Sequence, residues 1–128
     1  MILDSSAVVA ILLREALADE LEAKVAAASA LGIGAPTFVE VLMVLSSRFG
    51  RDAAGHLEGF LSRSDAVVVP FSEEHARAAA EAFARFGKGR HRAALTFGDC
   101  MAYAVAKLAG QPLLCAGTNF AKTDLKLA

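Results

Sequence analysis

Three acids of this chain stand in apolar company. Asp4 follows Met1-Ile2-Leu3 and precedes Ala7-Val8-Val9. Glu40 is flanked by Phe38, Val39, Val41, Leu42 and Met43. Asp99 lies between Leu95-Thr96-Phe97-Gly98 and Cys100-Met101-Ala102-Tyr103. Burying an ionised carboxylate alone is costly, so such a group persists where it is paired with a cation or ligates a metal. No Lys or Arg adjoins Asp4, Glu40 or Asp99 in the chain. Three carboxylates meeting at one place make a hard, oxygen-rich site suited to Mg²⁺ or Mn²⁺ rather than Zn²⁺. An ion held there lowers the pKa of bound water and neutralises charge on a phosphoryl group, the needs of phosphodiester hydrolysis. The plainer explanation is that Asp4 and Asp99 cap helices. Glu40, read as mid-helix, cannot cap, and this favours the metal site.

The remaining reactive residues offer no rival of equal quality. Glu15, Asp19, Glu20, Glu22, Asp52, Glu58, Asp65, Glu73, Glu74 and Glu81 fall on wet helix faces, in turns or in first helical turns. His56, His75 and His91 pair with no Cys or Ser nucleophile that the sequence reveals. Cys100 and Cys115 form no CxxC pair and no zinc spacing, so both read as small buried hydrophobes in a reducing compartment. Gly87-Lys88-Gly89 lacks the Gly-x-x-x-x-Gly-Lys spacing of a phosphate loop.

The elements that must position the acids follow from the hydrophobic pattern. Met1 to Asp4 reads as a short buried strand, Leu31 to Ala35 and Leu113 to Cys115 as short strands, and Ala66 to Pro70 as a β-branched strand. Between them lie helices over Ala7 to Leu13, with Ser5-Ser6 as cap, and Ala16 to Ala28. Further helices cover Phe38 to Phe49, Asp52 to Leu61, His75 to Phe86 and Cys100 to Leu108. Gly87 to Arg92 is a glycine-rich, basic loop. Alternating strands and helices argue an α/β fold with a mostly parallel sheet. Ligands of such sheets bind beyond the carboxyl ends of the strands. Asp4 closes the first strand, and Glu40 follows the second by just over one helical turn.

Composition sets the outer bounds. A chain of 128 residues with 55% hydrophobic and 21% charged residues holds enough apolar material for one domain core. That excludes a disordered chain. No apolar run reaches the roughly 18 residues of a membrane span. Met1 leads straight into Ile2 and Leu3, so no secretory leader is expected. A net charge of −1 points to no nucleic-acid partner globally, so any such affinity must be local. Arg85, Lys88, Arg90, His91 and Arg92 supply a basic cluster just before Asp99. The surplus of apolar residues suggests a surface buried against a partner.

Taken in order, several segments resemble the PIN-domain family, in particular the VapC-type toxins of bacterial toxin–antitoxin pairs. Met1-Ile2-Leu3-Asp4-Ser5-Ser6-Ala7 resembles that family's acidic first strand. Ala35-Pro36-Thr37-Phe38-Val39-Glu40 resembles its second acidic segment. Phe86-Gly87-Lys88-Gly89-Arg90-His91 is similar to a loop of one VapC subgroup. Leu95-Thr96-Phe97-Gly98-Asp99-Cys100-Met101-Ala102-Tyr103-Ala104 is the most specific match. Leu113-Leu114-Cys115-Ala116-Gly117-Thr118-Asn119-Phe120-Ala121-Lys122-Thr123-Asp124 resembles the terminal strand and loop, with one departure. Where the subgroup has a fourth acid, this chain has Asn119, and Asp124 is the nearest carboxylate that could compensate. The family's frequent Asn before Phe97 is Thr96 here.

The resemblance implies a three-layer α/β/α PIN-like sandwich over residues 1–128, with a twisted, mostly parallel sheet of four to five short strands. It implies a Mg²⁺- or Mn²⁺-dependent cytoplasmic endoribonuclease, the toxin of a type II toxin–antitoxin system, acting on tRNA or rRNA. Asp4, Glu40 and Asp99 would hold the metal directly or through water. Asn119 and Asp124 would be marginal members. Ser5, Ser6 and Thr96 would orient metal-bound water. Lys88, Arg90 and Arg92 would hold RNA phosphates. The implied partners are a VapB-type antitoxin, seated on the helices Ala7 to Leu13 and Phe38 to Phe49, and a second copy of the chain. The alternative is a catalytically weak or dead PIN-like module that binds RNA or a partner, and Asn119 motivates it. A receiver-like signalling domain is disfavoured, because Val69 is followed by Pro70-Phe71-Ser72 rather than by an acid.

Overall fold

The computed structural model describes all 128 residues. Its centre is a parallel sheet in the order β3-β2-β1-β4, from β1 (Ile2–Leu3), β2 (Leu31–Gly34), β3 (Ala66–Val69) and β4 (Leu113–Leu114). The chain tail runs along the outer side of β4. Leu113 N–H donates to Lys126 at 2.9 Å, and Ala128 N–H donates to Leu113 at 3.0 Å. The tail is thus a fifth strand reduced to one parallel bridge between Leu113 and Leu127.

Side chains alternate across the sheet and divide the core in two. Leu3, Ile33 and Leu114 face one cluster with α1 (Ser5–Leu12), α2 (Ala18–Ala27), α3 (Ala35–Phe49) and α4 (Ala53–Ser64). Ile2 and Leu113 face the other, with α5 (Glu73–Phe86) and α6 (Phe97–Ala109). The result is the expected α/β/α sandwich. On β2, Gly34 lets α6 approach closely: a Cβ there would stand 2.9 Å from Val105 Cγ2.

The helix starts shift by one to three residues from the sequence reading, and at three of them the local cause is plain. The cap of α1 is Asp4 rather than Ser5 or Ser6, since Asp4 is extended and accepts the Ser6 N–H at 3.0 Å. α3 begins at Ala35, because Pro36 is tolerated in a first helical turn, where its missing N–H has no partner to lose. α6 begins at Phe97, because Thr96 and Asp99 form a capping box.

The strand order fixes where chemistry can gather. The chain leaves β1 to pair with β2 on one side and returns as β4 on the other. Beyond the carboxyl end of β1 there is therefore a topological switch point. Asp4 stands there. α6 leads into β4 and so brings its N-terminus to the same edge, as α3 does by following β2 directly.

Candidate metal centre

Asp4 is 3% exposed and its carboxylate is half used. Oδ2 accepts from the Ser6 N–H and the Ser6 hydroxyl. Oδ1 is buried with no hydrogen-bond partner. The Ser6 hydroxyl also accepts the Ala116 N–H at 3.0 Å, linking the β1 end to the loop after β4. Asp99 is half-buried, and its Oδ2 accepts the Thr96 N–H at 2.9 Å. Asp99 N–H in turn donates to Thr96 Oγ1 at 3.4 Å. Both acids cap a helix with one oxygen and keep the other. The capping and metal-site explanations therefore describe different atoms of the same side chains.

Glu40 lies five residues into α3, half-buried, with its carboxylate against the backbone of Gly98. The three acids feel one another. Burial pushes the Asp4 carboxyl up, the Ser6 hydrogen bonds oppose this, and the Asp99 charge adds to it. Burial also pushes Glu40 up, helped by the charges of Asp4 and Asp99, while the Ser5 hydroxyl beside it pulls the other way. None of the six ion pairs of the molecule includes Asp4, Glu40 or Asp99.

The edge is thus a pocket of negative charge without a protein cation. An orphaned, buried carboxylate oxygen beside two further carboxylates fits a hard divalent ion. No three His, Cys, Asp or Glu side chains are grouped so as to hold an ion alone. A fit therefore requires water among the ligands, as Mg²⁺ prefers.

Several expected members take other roles. Asp124 is removed from the acidic edge. It accepts from the Tyr103 hydroxyl at 2.6 Å and from Lys107 Nζ at 2.9 Å, and Arg85 stands 3.5 Å away. These contacts, Tyr103 first, hold its carboxyl down at about 2. It is a clasp for the tail against α6, and its charge is already matched. Asn119 is exposed at the start of a 3-10 turn (Phe120–Lys122), and its side chain caps nothing. The Ser6 hydroxyl and the Thr96 backbone N–H orient the Asp4 and Asp99 carboxylates, while the Thr96 hydroxyl accepts the Asp99 N–H. Ser5 faces Glu40.

The basic loop is shaped by its own backbone. Lys88 N–H donates to Leu95 at 2.9 Å, which pins the loop beside the residue before Thr96. Lys88, Arg90 and Arg92 are exposed and form no ion pair. Arg90 lies over the Phe83 ring at 5.2 Å. Arg85 and His91 leave the cluster: Arg85 joins Asp124, and the His91 ring accepts the Ala93 N–H at 3.0 Å.

Two site residues went unread in the sequence. Cys115 is the register neighbour of Asp4, one step past the Leu3–Leu114 pair, and it is half-buried rather than core. Burial and then the Asp4 charge push its thiol up to about 11. Its place directly after β4 was the available signal. Gly98 is the other, and its neighbour Asp99 was the signal there.

The apolar surplus is also visible on the surface. Met43 is 70% exposed on α3, near the exposed Val39 and Val44. Phe97 is 80% exposed and borders an apolar groove with Phe71, Phe83 and Met101 between α5 and α6. No helix is long and apolar enough to cross a membrane.

Comparison with known proteins agrees with the fold. The family model described as PIN domain matches residues 1–126. The chain is 48% identical to Ribonuclease VapC36 of Mycobacterium tuberculosis, over 98% of this chain and 91% of that protein. It is 42% identical to Ribonuclease VapC of Mycolicibacterium smegmatis, over 98% of this chain and 97% of that protein. Among solved structures, Mycobacterium tuberculosis VapC20, described as a sarcin-ricin loop cleaving toxin, superposes with a TM-score of 0.79 at 17% identity, covering 99% of this chain and 97% of that one. A chain of VapBC2 from Rickettsia felis, bound to a promoter DNA fragment, superposes with a TM-score of 0.75 at 18% identity, covering 99% and 96%.

Proposed function

The chain belongs to the PIN-domain family, and from that membership we propose that it is a Mg²⁺- or Mn²⁺-dependent endoribonuclease, the toxin of a VapB–VapC-type pair. The observation that carries the reading is the Asp4 carboxylate: buried, orphaned at Oδ1, and set beside Glu40 and Asp99 with no protein cation. Its relatives are named as ribonucleases, which supports RNA as substrate.

Asp4 and Asp99 would bind the ion directly, each through the oxygen its cap leaves free, and Glu40 would reach it through water. When bound, the ion supplies charge neutralisation at the phosphoryl group and acidifies water. Glu40 is held at the edge by its place on α3, where its carboxylate would orient the attacking water and accept its proton. Ser6 and Thr96 fix the acids in position. Lys88, Arg90 and Arg92 hold phosphates of the substrate, independent of base identity.

A VapB-type antitoxin is the expected partner, in line with the toxin–antitoxin complexes among the structural neighbours. The exposed α3 residues Val39, Met43 and Val44 offer it an apolar face, as for a helix laid in a groove. The α5–α6 groove is the candidate face for a second copy. The expected compartment is the cytoplasm.

Asn119 favours a second reading, a weak or inactive nuclease that only binds, because it adds no charge where the subgroup has an acid. One experiment separates the two. The purified chain is incubated with tRNA and with rRNA fragments in Mg²⁺, Mn²⁺ or chelator. Metal-dependent cleavage that Asp4→Ala and Asp99→Ala abolish supports the nuclease. Cleavage surviving both substitutions removes the assignment, and binding without cleavage supports the second reading.

A further inference from the structure

We propose that Gly98 is a positioning residue of the acidic edge, the position whose missing side chain lets the Glu40 carboxylate reach Asp4 and Asp99. The proposal rests on the metal-dependent reading above and deepens it.

Glu40 and Asp99 come from opposite sides of the sheet. α3 packs in the cluster with α1, α2 and α4, and α6 packs in the cluster with α5. Nothing in either helix alone sets the distance between their acids. The structure sets it by contact. A Cβ on Gly98 would stand 2.5 Å from Glu40 Oε2 and 2.8 Å from both Oε1 and Cδ. These gaps are about 1 Å short of ordinary van der Waals contact. The carboxylate therefore occupies the volume a side chain at this position would fill.

Backbone conformation does not explain the glycine. Positive φ occurs at Gly50, Gly89 and Gly110, and not at Gly98. Gly98 is the second residue of α6, where alanine has the better intrinsic helix propensity. The space it leaves is taken by the tip of a flexible side chain rather than by backbone. Alanine at this position is therefore accommodated by moving the Glu40 carboxylate, at little cost to folding. The cost falls on the site, because the carboxylate leaves its place beside Asp4 and Asp99. A misplacement near 1 Å at a reacting centre costs on the order of 10²-fold in rate. Loss of an orienting partner lowers metal affinity by roughly 10–100-fold.

The test compares wild type, Gly98→Ala, Glu40→Asp and the double variant. Mn²⁺ binding is measured by calorimetry, cleavage as kcat and KM, and folding by thermal melting. Gly98→Ala should melt close to wild type, lose about 10–100-fold in Mn²⁺ affinity and lose kcat more than it raises KM. Glu40→Asp draws the carboxylate back by one methylene. In the Gly98→Ala background it should therefore restore part of the lost affinity, so that the two losses do not add. Equal Mn²⁺ affinity in Gly98→Ala and wild type would overturn the proposal, as would strictly additive losses. If Gly98→Ala melts low, Gly98→Ala with Glu40→Ala must restore the melt, since the crowded carboxylate is gone. Failure to restore it assigns Gly98 to the helix alone and overturns the proposal. A wild type that binds no Mn²⁺ overturns the reading of the site and this proposal together. A wild type that binds while Gly98→Ala binds equally well overturns this proposal only.

Discussion

The Ser6 hydroxyl donates to Asp4 Oδ2 and, with the same oxygen, accepts the Ala116 N–H at 3.0 Å. One hydroxyl thus aims the buried acid and ties the β1 end to the loop beyond β4. Removing it leaves Asp4 Oδ2 with its backbone donor alone and leaves the Ala116 N–H unpaired. Ser6→Ala is expected to destabilise the chain by about 1–3 kcal/mol, the cost of stranding part-buried polar groups. Because Asp4 also loses its aim, Mg²⁺-dependent cleavage should fall by roughly tenfold or more. Urea unfolding and a cleavage assay measure the two effects separately, and normal cleavage would show that Ser6 serves the fold only.

The carboxylates of Asp4 and Glu40 bind protons more tightly in the folded chain than at their ordinary values of 3.8 and 4.5. As pH rises past those values, the unfolded chain releases its protons first. Stability contributed by these groups is therefore greatest in acid and falls as pH rises through their folded-state pKa values. Glu40→Gln removes one of the repelling charges. In chelator at neutral pH it should melt above wild type, while its cleavage collapses. Mn²⁺ should raise the wild-type melting temperature more at neutral pH than in mild acid, where protons compete for the ligands. A Glu40→Gln protein that melts below wild type in chelator would contradict the buried repulsion.

The Asp124 clasp behaves in the opposite sense. Its folded pKa of about 2 lies below the ordinary 3.8, so its contribution is present above 3.8 and fades as pH falls toward 2. Its side chain is 36% exposed, so solvent screening discounts the interaction. Asp124→Asn should cost about 1 kcal/mol. Melting should fall by a few degrees at neutral pH, with a smaller difference in strong acid. Mn²⁺ affinity should not change, because Asp124 stands apart from the acidic edge. A fall in Mn²⁺ affinity would return Asp124 to the site.

Lys88, Arg90 and Arg92 are exposed, unpaired cations on a loop pinned beside Leu95. If they bind phosphates, each alanine substitution should weaken RNA binding similarly across sequences. Each should also flatten the salt dependence by about 0.7 in the slope of log K against log salt, the single-strand value per contact. Arg85→Ala serves as the control, since its guanidinium is committed to Asp124. A salt slope unchanged in all three loop variants would exclude the loop from the RNA interface.

Much of the site was legible because burial is costly for charge. Asp4, Glu40 and Asp99 stood out by their apolar neighbours, and the structure brings them to one sheet edge. The same reasoning could not place Asp124. A polar tail segment carries no apolar signal, and its partners Tyr103, Lys107 and Arg85 lie on helices distant in the chain. The sequence marks Ser6 and Thr96, and the backbone decides which of their atoms meet the acids. The extended conformation at Asp4 lets the Ser6 hydroxyl meet its carboxylate, and that at Thr96 aims its N–H at the Asp99 carboxylate and its hydroxyl oxygen at the Asp99 N–H.

The order of strands, helices and acids is written along the chain. Apolar periodicity and local caps act over a few residues, so the α/β alternation, the acidic triplet and the basic loop are properties of the sequence itself. Distances across layers belong to the tertiary structure. Only the β3-β2-β1-β4 order puts Cys115 next to Asp4, and only the packing of α3 toward α6 puts Glu40 against Gly98. The physical reason is that such contacts join segments whose local energies are independent of one another. Close packing of the two halves of the core, and nothing local, decides whether a carboxylate meets a side chain or the space where one is missing.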